Sequence, residues 1–141
     1  MSTKLFQLDD QIAKETKLIL DFPLSTLLLR DDKRFPWLIL VPKLADCHCL
    51  LDLKQDQFFQ FQSEIRSTML ALEKKYGNDT KFNTACIGNK VSQLHYHIII
   101  RSKDDIAWPE TVWGFGSILK YESKILQKLL TELRNIIIDS H

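Results

Sequence analysis

Residues 91–101 read VSQLHYHIIIR. From Gln93 to His97 polar and apolar side chains alternate, and a period of two is the pattern of a β-strand with unlike faces. Leu94, Tyr96, Ile98 and Ile100 form one face, and Val91, Gln93, His95, His97 and Ile99 the other. The first face demands a packed layer. The second sets three polar groups into an otherwise apolar row. Same-face neighbours along a strand stand roughly 6.5–7 Å apart, so a group the size of a phosphate can touch His95 and reach His97.

The rest of the chain supplies what such a strand needs. DDQIAKET reads as a short helix capped by Asp9 or Asp10. STLLLRDD and FPWLILVP are apolar runs of strand length, and DDKRFP between them has the charge and proline of a turn. Pro36 and Pro42 bracket the second run, where they do not interrupt a ladder. The stretch from Leu51 to Asp79 is the clearest helix. Asp52 is its expected cap, Phe58, Phe61, Ile65, Met69 and Leu72 recur at helical spacing, and Gly77-Asn78 ends it. KFNTACIG reads as a strand turned by Gly88-Asn89 into the histidine strand, and a second amphipathic helix is expected near 118–138. Strands are thus expected near 26–30, 37–41, 82–87 and 91–100, with a helix at 53–75. The fold class is α+β, an antiparallel sheet of about five strands with a long helix packed on it and a C-terminal helix, in a single domain 1–141.

Composition narrows the function. The 141 residues are 45% hydrophobic and 26% charged, in the range of a soluble globular domain. A net charge of +1 gives no global field to recruit nucleic acid or a membrane surface. The N-terminal MSTKLFQLDD has no apolar core of a signal peptide, and no apolar run reaches membrane-spanning length. Three cysteines make no disulfide framework, which fits a reduced cytoplasm. Near neutral pH the histidines can serve as nucleophile, acid or metal ligand. They can equally be satisfied polar groups on a half-exposed sheet face. A third reading is a zinc site in which Cys47, His48 and Cys49 of DCHC join the histidines.

The segment GNKVSQLHYHIIIR resembles the signature of the histidine triad (HIT) superfamily, His-φ-His-φ-His-φ-φ with φ apolar. Gly88 and Val91 match in register. Asn89 stands where many members have Gln. His95 falls on the middle, nucleophilic histidine and His97 on the third, while Gln93 replaces the first. RDDKRFPWLILVPK resembles the hairpin strand that lines the nucleotide pocket, and DIAWP the Trp-Pro segment of several branches. Together FPWLILVP, QLHYH and AWPETVWG look most like bacterial HIT proteins with Gln at the first position. The likeness runs to about Gly114 and leaves the C-terminal helix outside. Trp37 stands where many members carry an additional histidine.

This resemblance implies a hydrolase or transferase acting at the α-phosphate of a nucleotide conjugate, of the dinucleoside polyphosphate or nucleoside phosphoramidate class. His95 would attack and carry a covalent nucleotidyl group. His97 would contact phosphate and protonate the leaving group, and Gln93 would orient the site. Asn89 would bind phosphate oxygens. Asp31, or else Asp32, would bind the ribose. Leu27, Leu29, Phe6 and Trp37 would contact the base or else be simple core, and Arg101 would approach phosphate or else lie at the surface. The family's two-fold dimers suggest a homodimer in which Trp108, with Pro109 and Trp113, reaches the partner. No metal or cofactor is required. The competing functions are a nucleotide-binding or regulatory module with weak catalysis, and a metal-binding interaction protein built on Cys47, Cys49 and the histidines.

Overall fold

The computed structural model describes residues 4–140. Asp9 caps a short helix α1 (Asp10–Glu15), its carboxylate accepting from the Gln11 and Ile12 amides at 2.8 and 3.3 Å. The chain passes without a turn into β1 (Thr16–Asp21), then β2 (Ser25–Arg30) and β3 (Trp37–Pro42). A short 3₁₀ turn (Leu50–Asp52) leads into α2 (Gln55–Tyr76), followed by β4 (Lys81–Cys86), β5 (Tyr96–Arg101) and α3 (Ser123–Asp139). The five strands make one antiparallel sheet ordered β1-β2-β3-β5-β4. An α+β sheet with helices is therefore the architecture.

Strand β1 is the element that the sequence pattern misses. It follows α1 directly, and its register with β2 slips at Ile19, between Leu18 and Leu20. A bulged edge strand shows no clean alternation. The cap of α2 also differs from expectation. Asp52 instead closes the preceding turn, accepting from the His48 and Cys49 amides at 2.8 and 3.2 Å. The last helix begins at Ser123, five residues after the expected start at 118.

Helices α2 and α3 cover one face of the sheet. There Phe61, Ala71 and Leu72 of α2 and Leu126, Leu130, Leu133 and Ile137 of α3 pack against Ile19, Leu27, Leu29, Leu38, Leu40, Leu94, Ile98 and Ile100. Phe58, Ile65 and Met69 reach this core only in part. Glu64 pins α2 to the β1–β2 turn: buried, it accepts from the Leu24 and Ser25 amides, the Ser25 hydroxyl and Gln60.

The other face carries a second apolar cluster. Ile12, Leu28, Phe35, Trp37, Ile39, Val41 and Ile99 meet Ala107 and Val112, with Phe6, Leu8, Val91, Trp113 and Phe115 at its margin. Two irregular stretches, residues 6–9 and 105–116, thus roof the sheet where it has no helices. Regular pairing in the histidine strand begins only at Tyr96 and not at 91, because residues 91–95 run alongside Cys47, whose carbonyl accepts from the Leu94 amide at 2.8 Å. The two-face division still holds: Leu94, Ile98 and Ile100 lie under the helices, Val91 and Ile99 on the other side.

Candidate active site

A cleft of about 810 Å³ opens on the face away from the helices. His95, His97, Trp37, Asn89, Arg30, Arg34, Lys90 and Trp113 line it, with Asp9, Ile12 and Glu15 of the N-terminal part. The ladder explains the grouping. His97 pairs with Ile39 and Trp37 with Ile99, so the side chains of Trp37 and His97 rise from neighbouring rows of one sheet face.

The hydrogen bonds fix opposite proton positions on the two histidines. His95 is 8% exposed, and its Nδ1 lies 2.6 Å from the Gln93 carbonyl oxygen. A carbonyl only accepts, so Nδ1 carries the hydrogen and neutral His95 keeps its lone pair on Nε2. In His97 the order is reversed. The Trp37 indole N–H, which only donates, meets His97 Nδ1 at 2.9 Å. The hydrogen of neutral His97 is therefore on Nε2. Burial first, then the neighbouring His95 and Arg30, push the His97 pKa down from 6.5 to about 3. His97 is thus a neutral hydrogen-bond donor throughout the physiological range. Its ring is boxed edge-on by His95, Trp113 and Trp37 at centroid distances of 4.9, 4.9 and 5.7 Å.

Gln93 orients His95 through its backbone. Its side-chain amide is turned to the N-terminal stretch: Nε2 donates to the Gln7 carbonyl and Oε1 accepts from the Asp9 amide, both at 2.9 Å. That pair of bonds staples residues 7–9 beside the cleft, just before the cap of α1.

The HIT domain family matches residues 11–104. Solved histidine triad proteins share both fold and sequence. One from Bradyrhizobium japonicum is 36% identical, covering 95% of this chain and 99% of its own, at a TM-score of 0.90. One from Marinobacter aquaeolei is 30% identical, covering 98% and 100%, at 0.92. One from Sinorhizobium meliloti is 32% identical, covering 92% and 96%, at 0.88. The chain belongs to the HIT family. HIT proteins are generally nucleotide hydrolases or transferases. Comparison with curated proteins finds no match.

Of the residues the HIT resemblance singles out, the structure brings His95, His97, Asn89, Trp37 and Trp113 to the cleft, sets the Gln93 carbonyl on His95, and places Leu27, Leu29, Asp31, Arg101 and Trp108 elsewhere. Leu27 and Leu29 are buried under the helices, on the opposite sheet face. Asp31 accepts from the Tyr121 amide at 3.0 Å, and buried Asp32 holds Arg34 through both carboxylate oxygens at 2.9 and 2.8 Å. Arg34 in turn donates to the Phe115 carbonyl. Both turn acids therefore tie down the stretch that follows Trp113. Arg101 is buried, paired with Asp105 at 2.8 and 3.1 Å and with Asn83 at 2.9 Å. Trp108 lies over that guanidinium, 5.6 Å from its carbon to the ring centre. Trp113 packs on Trp37 and His97 of its own chain.

Arg30 is a cleft residue that sequence reasoning passed over, and Trp113, expected at the partner, lines the same cleft. Strand β2 is apolar on both faces up to Leu29, so its parity cannot be read from the pattern. The hairpin register settles it: Leu29 pairs with Leu38, which brings Arg30 beside Trp37. The DCHC residues do not converge. Cys47 sits in the core, where burial first, then nearby Asp52 and Cys49, raises its thiol pKa to about 11, while Cys49 is exposed. Among the described residues no three His, Cys, Asp or Glu side chains are grouped to hold a metal ion.

Proposed function

We propose that the chain is a nucleotide hydrolase or transferase that works through a covalent nucleotidyl-His95, on nucleoside phosphoramidates or dinucleoside polyphosphates. The observation that carries this reading is the 2.6 Å contact of His95 Nδ1 with the Gln93 carbonyl. It commits the free lone pair to Nε2 on a histidine lining the cleft. In the first step Nε2 bonds to the α-phosphorus, the bond from phosphorus to the leaving group breaks, and that group departs with the electron pair, an amine taking its proton from solvent. The phosphorylated imidazole keeps its Nδ1–H on the carbonyl, which stabilises the positive charge gained. Water then attacks phosphorus, the N–P bond breaks, the nucleoside monophosphate leaves, and the water proton passes to solvent. Splitting one displacement into two lowers each barrier.

His97 Nε2–H and Asn89 would donate to phosphate oxygens, which is transition-state stabilisation by fixed donors. The expected role of His97 as proton donor to the leaving group is not part of this proposal. A neutral imidazole with its pKa near 3 holds no proton acidic enough to transfer at neutral pH. The same point favours a second reading, nucleotide binding with slow turnover, since good leaving groups would be needed. The chain would work as one unit in the reduced cytoplasm, in the branch with Gln at the first triad position.

The test is incubation with adenosine phosphoramidate and diadenosine polyphosphates, quenched and read by intact mass. A nucleotidyl adduct on the wild-type protein, absent from His95→Ala, is expected, with turnover in that variant lower by several orders of magnitude while AMP still binds. Near-normal turnover in folded His95→Ala would exclude the assigned nucleophile. Binding with neither adduct nor turnover would favour the second reading.

A further inference from the structure

Arg30 stands out among the buried and half-buried cations. Arg34 and Arg101 are each clasped by a carboxylate at 2.8 Å. Arg30 lies stacked on Trp37, its guanidinium carbon 3.9 Å from the ring centre. Among the described residues it forms no ion pair, and its Nε is buried without a hydrogen-bond partner. The nearby acids are committed: Asp32 to Arg34, and Glu15 to the Gln11 amide nitrogen at 2.9 Å. Burial outweighs the pull of those acids and lowers the Arg30 pKa from its usual value. A guanidinium nonetheless stays charged in a protein. A desolvated, stacked and unpaired guanidinium facing a cleft is a receptor for an oxyanion, which its planar fork matches in two bonds.

Its position separates it from the reacting phosphate. Arg30 lies beside Trp37, and Trp37 pairs with Ile99, four residues beyond His95 and two strands across. Strand spacings put the Cα atoms of Arg30 and His95 roughly 16 Å apart. The rings of Trp37 and His97 fill the floor between them. Arg30 and His95 therefore stand at different places along one cleft.

Resting on the nucleotide reading above, we propose that Arg30 forms a second anion subsite, which recognises a further phosphoryl group of the same nucleotide ligand. That group is carried either on the ribose or on the phosphate chain beyond the scissile bond. It makes a doubly phosphorylated nucleotide the preferred ligand. Trp37 presents the guanidinium, and its indole at the same time holds His97.

The experiment is calorimetric titration of the wild-type protein with AMP, adenosine 2′,5′-bisphosphate, adenosine 3′,5′-bisphosphate and ADP, at two salt concentrations. The ribose and chain positions are separated by the bisphosphates against ADP. One of the three should bind about tenfold tighter than AMP, a ratio equal to about 1.4 kcal/mol, with a steeper fall in salt. Arg30→Met should abolish that advantage and change AMP affinity little. Arg30→Lys, which keeps the charge and loses the fork, should retain part of it. AMP binding with no advantage for any doubly phosphorylated ligand would overturn the subsite and leave the nucleotide reading standing. Equal loss of AMP and bisphosphate binding in both variants would overturn it too, since Arg30 would then contact the shared nucleoside. Failure of every nucleotide to bind the wild-type protein would overturn both.

Discussion

An indole N–H has no acceptor capacity, so the Trp37 bond to His97 Nδ1 is incompatible with a second hydrogen on that ring. A histidine at position 37, as many family members have, can exchange donor and acceptor roles. Trp37 cannot. Burial first, then the neighbouring His95 and Arg30, hold the His97 pKa near 3, and a donor on Nδ1 favours the neutral ring in the same direction. The sign of the linkage is set by the unfolded chain, where the imidazole titrates near 6.5. Above that value both states are neutral and the contribution of His97 to stability is complete. As pH falls from 6.5 toward 3 only the unfolded state gains the proton, so stability declines. The limiting slope is about 1.4 kcal/mol per pH unit. Trp37→Phe removes the donor, so the His97 pKa should rise and the decline should flatten. Urea unfolding at a series of pH values, with nitrogen-15 spectra of the ring, measures both. A wild-type His97 that titrates near 6.5, or carries hydrogen on Nδ1, would refute the assignment. The activity profile should likewise show no ionisation of His97 between pH 5 and 8, the working range of an unperturbed imidazole.

At the level of elements, the N-terminal stretch and the histidine strand are joined through one amide. Gln93 uses both ends of its fork, on the Gln7 carbonyl and the Asp9 amide. Gln93→Ala should loosen residues 7–9, raise amide exchange at Asp9 and lower turnover modestly, since the freed Gln7 carbonyl and Asp9 amide are open to water. The shape of the pH profile should stay unchanged. Gln93→His restores a full triad, yet an imidazole cannot reproduce the paired donor and acceptor of the amide, so exchange should rise and turnover should not. Loss of an ionisation limb at unchanged exchange would show that Gln93 governs a proton and not a segment. Sequence pattern revealed the β2–β3 hairpin, both long helices and the two faces of the histidine strand, because each buries residues at a regular period. It could not reveal β1, whose bulge breaks the period, or the parity of β2, whose neighbours are apolar on both sides. It also left Asp31 and Asp32 ambiguous. Turn acids near a site look alike until their partners, Tyr121 and Arg34, are known.

For the whole molecule the open question is which surface a second copy would use. The sheet has two edges, and they differ. β1 is bulged at Ile19, and Arg134 of α3 donates to the Ile19 carbonyl at 2.8 Å, so that edge is irregular and partly capped. β4 keeps an unbroken register with β5 from Lys81 to Cys86, and among the described residues its other edge has no strand beside it. An open, regular edge is a template for pairing. Next to it lies a largely apolar groove of about 540 Å³, lined by Phe58, Ile65, Met69, Leu70, Phe82 and Tyr96. We propose that two chains join β4 to β4 across a two-fold axis, with α2 closing the groove, since strand pairing alone would fall short of the roughly 800 Å² per partner of a stable interface. Light scattering should give twice the 16.5 kDa chain mass. Leu70→Glu, at a position 42% exposed in the single chain, should yield a folded monomer. The cleft at His95 lies on the face away from α2. AMP should therefore bind that monomer as tightly as the dimer. A wild-type monomer, or a Leu70→Glu variant that stays dimeric, would remove the β4 interface. A folded monomer with lost AMP affinity would instead mean that the partner completes the cleft.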